Sequence, residues 1–193
     1  MTDALNRRRS DRTGRRARLE SNMKILLTEE QIAEKVRSLG AQLSGDYRGK
    51  NPVLIGCLKG CVVFLADLMR QITIPHSIDF VRTSSYGKGR VSTGTVRSEM
   101  FDVNVRGRHA VIVEDIVDTG LTLGYLTDAL TRQEPLSLKV CALLVKPEAD
   151  LAPVTIDYKG FDIPGDFVVG YGLDWGERYR DLPHVAVVDE QDA

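Results

Sequence analysis

Residues 111–124 read Val-Ile-Val-Glu-Asp-Ile-Val-Asp-Thr-Gly-Leu-Thr-Leu-Gly. The stretch opens at 111–113 as a continuous apolar strand, the pattern of a strand buried on both faces. It then sets three carboxylates, Glu114, Asp115 and Asp118, close together before a helical pattern over 123–130. Like charges at this spacing repel, so each needs a partner. The loop 118–122 runs into a helix start, where free N–H groups and the helix dipole favour an anion. Thr119 and Thr122 add hydroxyl donors, and Gly120 lets the backbone come close. A phosphate fits this cradle. The Gly-Lys-Ser/Thr ending of the Walker loop is absent, and the glycines are wrongly spaced for a dinucleotide fingerprint. Glu114 and Asp115 would repel that phosphate unless something stands between. Mg²⁺ is one candidate and sugar hydroxyls are another; a phosphorylated sugar meets both needs. An acidic helical first turn would account for Asp118 alone, but not for the combination.

Outward from this stretch the chain alternates strand and helix. Thr28 and Gln31 resemble a capping box, and Ile32, Val36, Leu39 and Leu43 follow at helical spacing. A buried strand is expected at 53–57, a tight connector at Leu58-Lys59-Gly60, a helix at 62–72 and a strand at 78–82. A further buried strand, 138–145, ends at Lys146. The alternation predicts an α/β fold with a mostly parallel twisted central sheet flanked by helices. Such sheets bind ligands beyond the carboxyl ends of their strands. Lys59, Glu114, Asp115 and Lys146 are all expected just past such ends, which points to one site. Residues 83–95 are small, polar and Gly-rich; a loop this long reads as a lid that meets an anionic substrate. From 153 the pattern loosens into Gly, Pro and aromatics, closing with a short strand at 185–188.

Length and composition suit one domain: 193 residues, 42% hydrophobic and 27% charged. The formal net charge of -1 gives no general argument for nucleic acid or membrane. It is unevenly spread, since residues 1–20 carry a net +4 from seven arginines and the remainder carries -5. With few apolar residues, 1–22 reads as a disordered Arg-rich arm, and it lacks the apolar core of a secretory signal. Residues 23–193 read as a single domain. Cys57, Cys61 and Cys141 sit in apolar surroundings, so they read as buried thiols of a protein in a reducing cytoplasm. His76, His109 and His184 show no metal-ligand spacing and read as surface or packing residues.

The stretch 111–122 resembles the phosphoribosyl-pyrophosphate motif of type I phosphoribosyltransferases. Leu58-Lys59-Gly60, Ser84-Ser85-Tyr86, Leu144-Val145-Lys146, residues 166–174 and residues 180–185 follow in the order seen in the hypoxanthine-guanine branch, so the resemblance spans roughly 23–188. It implies a small hood subdomain on the main sheet, formed largely by about 153–188 with N-terminal contributions. It implies transfer of the phosphoribosyl group of 5-phospho-α-D-ribose 1-diphosphate to N9 of hypoxanthine or guanine, giving IMP or GMP and pyrophosphate, with Mg²⁺ as cofactor.

On this resemblance Asp118, Thr119, Gly120, Leu121 and Thr122 hold the ribose 5-phosphate. Glu114 and Asp115 face the ribose hydroxyls near the metal, and Asp118 is also the general base at purine N7. Lys146 donates to the purine 6-oxygen, Phe167 stacks on the base and the backbone of Val168 reads its edge. Asp174, with Glu114 and Asp115, serves Mg²⁺. Lys59, Gly60 and Arg180 bind pyrophosphate, with a cis peptide expected between Leu58 and Lys59. Ser85 and Tyr86 begin the lid, and Trp175 packs around the base pocket. The resemblance also implies a cytoplasmic homodimer or homotetramer with no membrane or nucleic-acid partner.

Two alternatives stand beside this one. A xanthine-preferring transferase also fits Lys146 and Phe167, because xanthine carries the 6-oxygen. An RNA-binding regulator on the same fold would use the Arg-rich arm. The folded pattern starts near Met23, so translation from Met23 is a further expectation. N-terminal mass spectrometry of native protein checks it, and an intact 1–22 segment would refute it.

Overall fold

A computed structural model describes residues 23–82, 103–147 and 154–188. The Arg-rich arm and the lid at 83–95, with Ser85 and Tyr86, lie outside the described residues.

Strand β1 (Lys24–Leu27) leads into helix α1 (Glu29–Asp46). Thr28 caps this helix as expected: its side chain accepts from the Gln31 N–H at 3.3 Å, and Gln31 Oε1 accepts from the Thr28 N–H at 2.9 Å. The helix buries Ile32, Val36, Leu39 and Leu43, its apolar stripe. Strand β2 (Val53–Leu58), helix α2 (Val62–Gln71), strand β3 (Ser77–Arg82), strand β4 (His109–Val117), helix α3 (Leu121–Thr131), strand β5 (Ser137–Val145) and strand β6 (Tyr158–Asp162) complete the main layer. Its five strands run in the order β3-β2-β4-β5-β6, and each neighbouring pair is parallel. Val111, Ile112 and Val113 at the centre are fully buried, as a doubly covered parallel sheet requires.

The structure differs from the sequence reading in two places. The central strand does not stop at Val113 but continues through Glu114 and Asp115 to Val117. It keeps its pairing with β5 to the end, Val117 opposite Val145, while its pairing with β2 stops at Gly56 opposite Val113. Backbone bonding on one edge holds the two acids extended, so they lie inside the strand rather than past it. Second, Tyr158–Asp162, expected within the hood span of about 153–188, adds the fifth strand to the main sheet. Its Tyr and Phe are spaced for packing, and aromatic content alone does not distinguish the two layers.

The hood is a second, three-stranded antiparallel sheet in the order β1-β8-β7, with β7 at Val168–Val169 and β8 at Val185–Val187. Between β7 and β8 the chain makes a tight turn in which Gly170 and Leu173 exchange backbone bonds of 3.0 Å. Tyr171 in that turn donates its hydroxyl to Asp67 on α2 at 2.6 Å, tying hood to main layer. Gly172 lies so close to the carbonyl of Gly60 that a Cβ there would collide with it. The loops after β2 and β7 are therefore packed backbone to backbone.

Tyr171→Phe removes a hydrogen bond to a carboxylate. Unfolding free energy should fall by about 1–2 kcal/mol, read as a lower denaturant midpoint; an unchanged midpoint would mean the tether carries no load.

Candidate active site

The parallel register decides which residues meet. Val117 pairs with Val145, and the Lys146 N–H donates to the Val117 carbonyl at 3.0 Å. The next residue of β4 and the next of β5 must then be neighbours. Lys146 Nζ lies 3.3 Å from Asp118 Oδ1, with the lysine side chain 11% exposed and the aspartate 63% exposed. On the other side of β4, the chain leaving β2 has a cis peptide between Leu58 and Lys59, and Gly60 beyond it lies against Asp115. A Cβ on Gly60 would strike the Asp115 carboxylate, so only glycine fits there.

These groups line one cavity of about 840 Å³ at the carboxyl ends of the strands. Lys59, Gly60, Glu114, Asp115, Asp118 and Lys146 come from the main layer; Phe167, Val168, Asp174 and Arg180 come from the hood side. Ten of the expected site residues are thereby brought together. Thr119, Gly120, Leu121 and Thr122 do not line the cavity; they sit beside it at the start of α3. There Gly120 takes the left-handed conformation (φ 81°) and offers no side-chain cap, while Thr119 Oγ1 accepts the Leu121 N–H at 3.5 Å; a helix start of this kind suits an anion.

Electrostatics in the cavity are strained toward neutrality. Burial is the main influence on Glu114 and raises its pKa; the neighbouring charge of Asp115 adds to this, and a hydrogen bond from the Cys57 thiol opposes it. Burial also raises Asp115. Backbone N–H groups of Asp115 and Ile116, then the Arg180 charge, pull it back, while Asp174 pushes it further up. Asp115 is 7% exposed, one of two buried polar residues among those described. A buried carboxylate next to a half-buried one, both short of positive charge, is a donor set for a hard cation or for sugar hydroxyls.

On the hood side, Arg180 Nη2 pairs with Asp174 Oδ1 at 2.7 Å and Arg180 Nη1 donates to the Gly172 carbonyl at 2.7 Å. Asp174 Oδ2 accepts the Glu177 N–H at 2.7 Å. Both carboxylate oxygens of Asp174 are thus engaged, and a metal there would share or exchange those bonds. Among the described residues no group of three or more His, Cys, Asp or Glu is placed to enclose a metal ion. The expected set Asp174, Glu114 and Asp115 does not converge into one cage. The fit is to a cation held by one or two carboxylates and completed by substrate oxygens, as Mg²⁺ commonly is.

Phe167 is 43% exposed and meets Trp175 edge to face, ring centres 4.6 Å apart. Its carbonyl accepts the Val188 N–H at 3.0 Å, which fixes the backbone that carries the ring. Six further residues line the cavity without having been assigned a site role from the sequence: Cys57, Leu58, Arg82, Ile116, Leu173 and Glu177. Position after a strand could have signalled Arg82 at the end of β3. Nothing in the local pattern marks Glu177, which pairs with Lys59 at 2.9 Å.

Comparison with known proteins agrees with this geometry. A family model for the phosphoribosyl transferase domain matches residues 22–175. The hypoxanthine-guanine phosphoribosyltransferase of Mycobacterium tuberculosis is 49% identical over 172 residues, covering 86% of this chain and 85% of its own. Its counterpart in Streptococcus agalactiae is 46% identical over 175 residues, covering 90% and 97%. The crystal structure of a hypoxanthine-guanine phosphoribosyltransferase from Bacillus anthracis superposes with a TM-score of 0.78 at 46% identity, over 86% of this chain and 98% of that one.

The raised carboxylates set a direction for stability against pH. Below about pH 4 both carry protons folded and unfolded, and their burial is harmless. As pH climbs toward the raised folded values, the unfolded state loses its protons first and is favoured. Glu114→Gln removes one of the two charges. Its melting temperature should exceed the parent's by more at pH 8 than at pH 5, the difference being about 2–6 °C. Equal shifts at both pH values, by calorimetry, would show that Glu114 is not held against its charge.

Proposed function

The chain belongs to the phosphoribosyl transferase family, and from that membership we infer that it is a purine-salvage transferase acting on hypoxanthine and guanine. It transfers the phosphoribosyl group of 5-phospho-α-D-ribose 1-diphosphate to N9 of the base, yielding IMP or GMP and pyrophosphate. The observation that carries this reading is the Asp118–Lys146 pair, 3.3 Å apart in one cavity with Phe167. A 6-oxopurine presents N7 and O6 side by side on one edge. A carboxylate that accepts from N7–H and an ammonium that donates to O6 match that edge. Adenine, which offers an amino group in place of O6, would turn hydrogens toward the ammonium.

The chemistry follows from the groups present. The C1–O bond to pyrophosphate breaks and the N9–C1 bond forms, while the proton leaves N7 for Asp118. Phe167 stacks on the base, a contact worth roughly 1–3 kcal/mol, and the Val168 backbone reads its edge. The helix start at Leu121, with Thr119, Gly120 and Thr122, cradles the 5-phosphate. Lys59, the Gly60 backbone and Arg180 receive the pyrophosphate; the planar guanidinium suits a phosphate oxygen pair. Glu114 and Asp115 take the ribose hydroxyls. Mg²⁺, held by Asp174 or by the Glu114–Asp115 pair together with substrate oxygens, supplies charge neutralisation for the leaving group. Ser85 and Tyr86 are proposed to begin a lid over this cavity.

Assembly as a homodimer or homotetramer in the cytoplasm is part of the same reading. Three free, buried thiols support a reducing compartment, and among the described residues no helix is long and apolar enough to cross a membrane.

Spectrophotometric assay with phosphoribosyl pyrophosphate and Mg²⁺ should give turnover with hypoxanthine and guanine and none with adenine or uracil; xanthine alone as substrate would change the assignment. Asp118→Asn should keep base binding and lower kcat by about 10²–10⁴-fold. Undiminished kcat would remove Asp118 from the proton transfer.

A further inference from the structure

Phosphoribosyl transfer as derived above has no part for Glu177, yet Glu177 joins the two cations that receive pyrophosphate. Trp175 and Arg178 exchange both backbone hydrogen bonds at 3.1 Å, closing a two-residue turn on Gly176 and Glu177. Both have positive φ, 56° and 64°. Such primed turns favour Gly, Asn and Asp, so the backbone gains nothing from a glutamate there. The Glu177 N–H is fixed on Asp174, as described, and the side chain then reaches across the cavity. Oε1 lies 2.9 Å from Lys59 Nζ and Oε2 lies 3.5 Å from Arg180 Nη2. One carboxylate thus spans cations from two loops far apart in the chain. The carboxylate is 64% exposed, so leaving its partners costs it little desolvation. Arg180 keeps Asp174 and the Gly172 carbonyl whether or not Glu177 is in place.

We propose that Glu177 is a built-in counter-ion of the pyrophosphate subsite: its carboxylate bridges Lys59 and Arg180 and yields them to the pyrophosphate of the substrate. It is a positioning and specificity-determining residue that acts through those two cations. Every bond it makes is one that pyrophosphate must replace. It therefore weakens binding of phosphoribosyl pyrophosphate and of free pyrophosphate alike, and it speeds departure of the product by recapturing the cations. The proposal rests on the phosphoribosyl-transfer reading of the cavity, and its test separates the two.

Calorimetric titration of inorganic pyrophosphate with Mg²⁺ is the direct measurement, on the parent chain, Glu177→Gln, Glu177→Ala and Glu177→Asp, with Glu134→Gln as a control. Glu134 pairs with Arg106 outside the cavity, so it reports the effect of net charge alone. Glu177→Gln and Glu177→Ala should bind pyrophosphate about 2- to 10-fold more tightly, the range expected for two exposed ion pairs. The KM for phosphoribosyl pyrophosphate should fall by a similar factor without a rise in kcat. Glu177→Asp should lie between, and Glu134→Gln should match the parent. Weaker or unchanged pyrophosphate binding in both neutral variants, with melting temperatures showing them folded, would overturn the proposal and leave Glu177 as a brace for the cations. An equal gain in Glu134→Gln would overturn it too, by reducing the effect to net charge. A parent chain that neither binds pyrophosphate nor transfers the phosphoribosyl group would instead refute the reading of the cavity itself, and the proposal with it.

Discussion

Two consecutive carboxylates near the end of the central strand, one buried and one half-buried, are the constraint around which this site is arranged. Glu114 and Asp115 lose hydration on folding and repel each other. The surrounding structure answers only in part. A thiol hydrogen bond reaches Glu114 from Cys57, and backbone N–H groups and the Arg180 charge reach Asp115. Glycine at position 60 leaves room for the Asp115 carboxylate where any side chain would collide. A fold that needed only stability would not retain such a pair, because an apolar residue at either position would relieve it. What it retains is a set of oxygen donors of the kind that suits hydroxyl groups or a hard cation.

The same cavity holds a matched problem with the signs reversed, a lysine from the main layer and an arginine from the hood side. Glu177 pairs with both Lys59 and Arg180, and Asp174 pairs with Arg180. The two halves are not independent. The Gly172 carbonyl that accepts from Arg180 belongs to the residue packed on the Gly60 backbone, and Gly60 in turn packs on Asp115. Moving the hood by even a side chain's width would disturb the acid pair, the cations and the cis-peptide loop together. The Tyr171–Asp67 hydrogen bond and the small antiparallel sheet made with β1 guard against that.

Much of the architecture was legible in residue order alone. Continuous apolar runs at 53–57, 111–113 and 140–145 with helical stripes between them point to a parallel sheet, since a strand covered on both faces is apolar throughout. Thr28 and Gln31 determine where α1 begins, because a capping box is a local device of four residues. Asp118 through Thr122 read as a helix start suited to an anion for the same reason: donors, glycine and helix are contiguous. What local pattern could not reveal was how far the central strand runs. Two acids in a row read as a strand's end, but pairing with β5 carries it on to Val117.

Only the tertiary structure decided which distant residues meet. The separation of 3.3 Å between Asp118 and Lys146 follows from the register Val117 to Val145, a property of pairing rather than of either segment. Glu177 stands 118 residues from the lysine it binds, on a turn whose sequence resembles any surface turn, so no local reading could place it in the cavity. Tyr158–Asp162 joined the main sheet rather than the hood because its partner edge, β5, lies there. Residue chemistry and short-range spacing therefore determined the elements and the kind of ligand; long-range register and backbone contact decided how those elements close into one cavity.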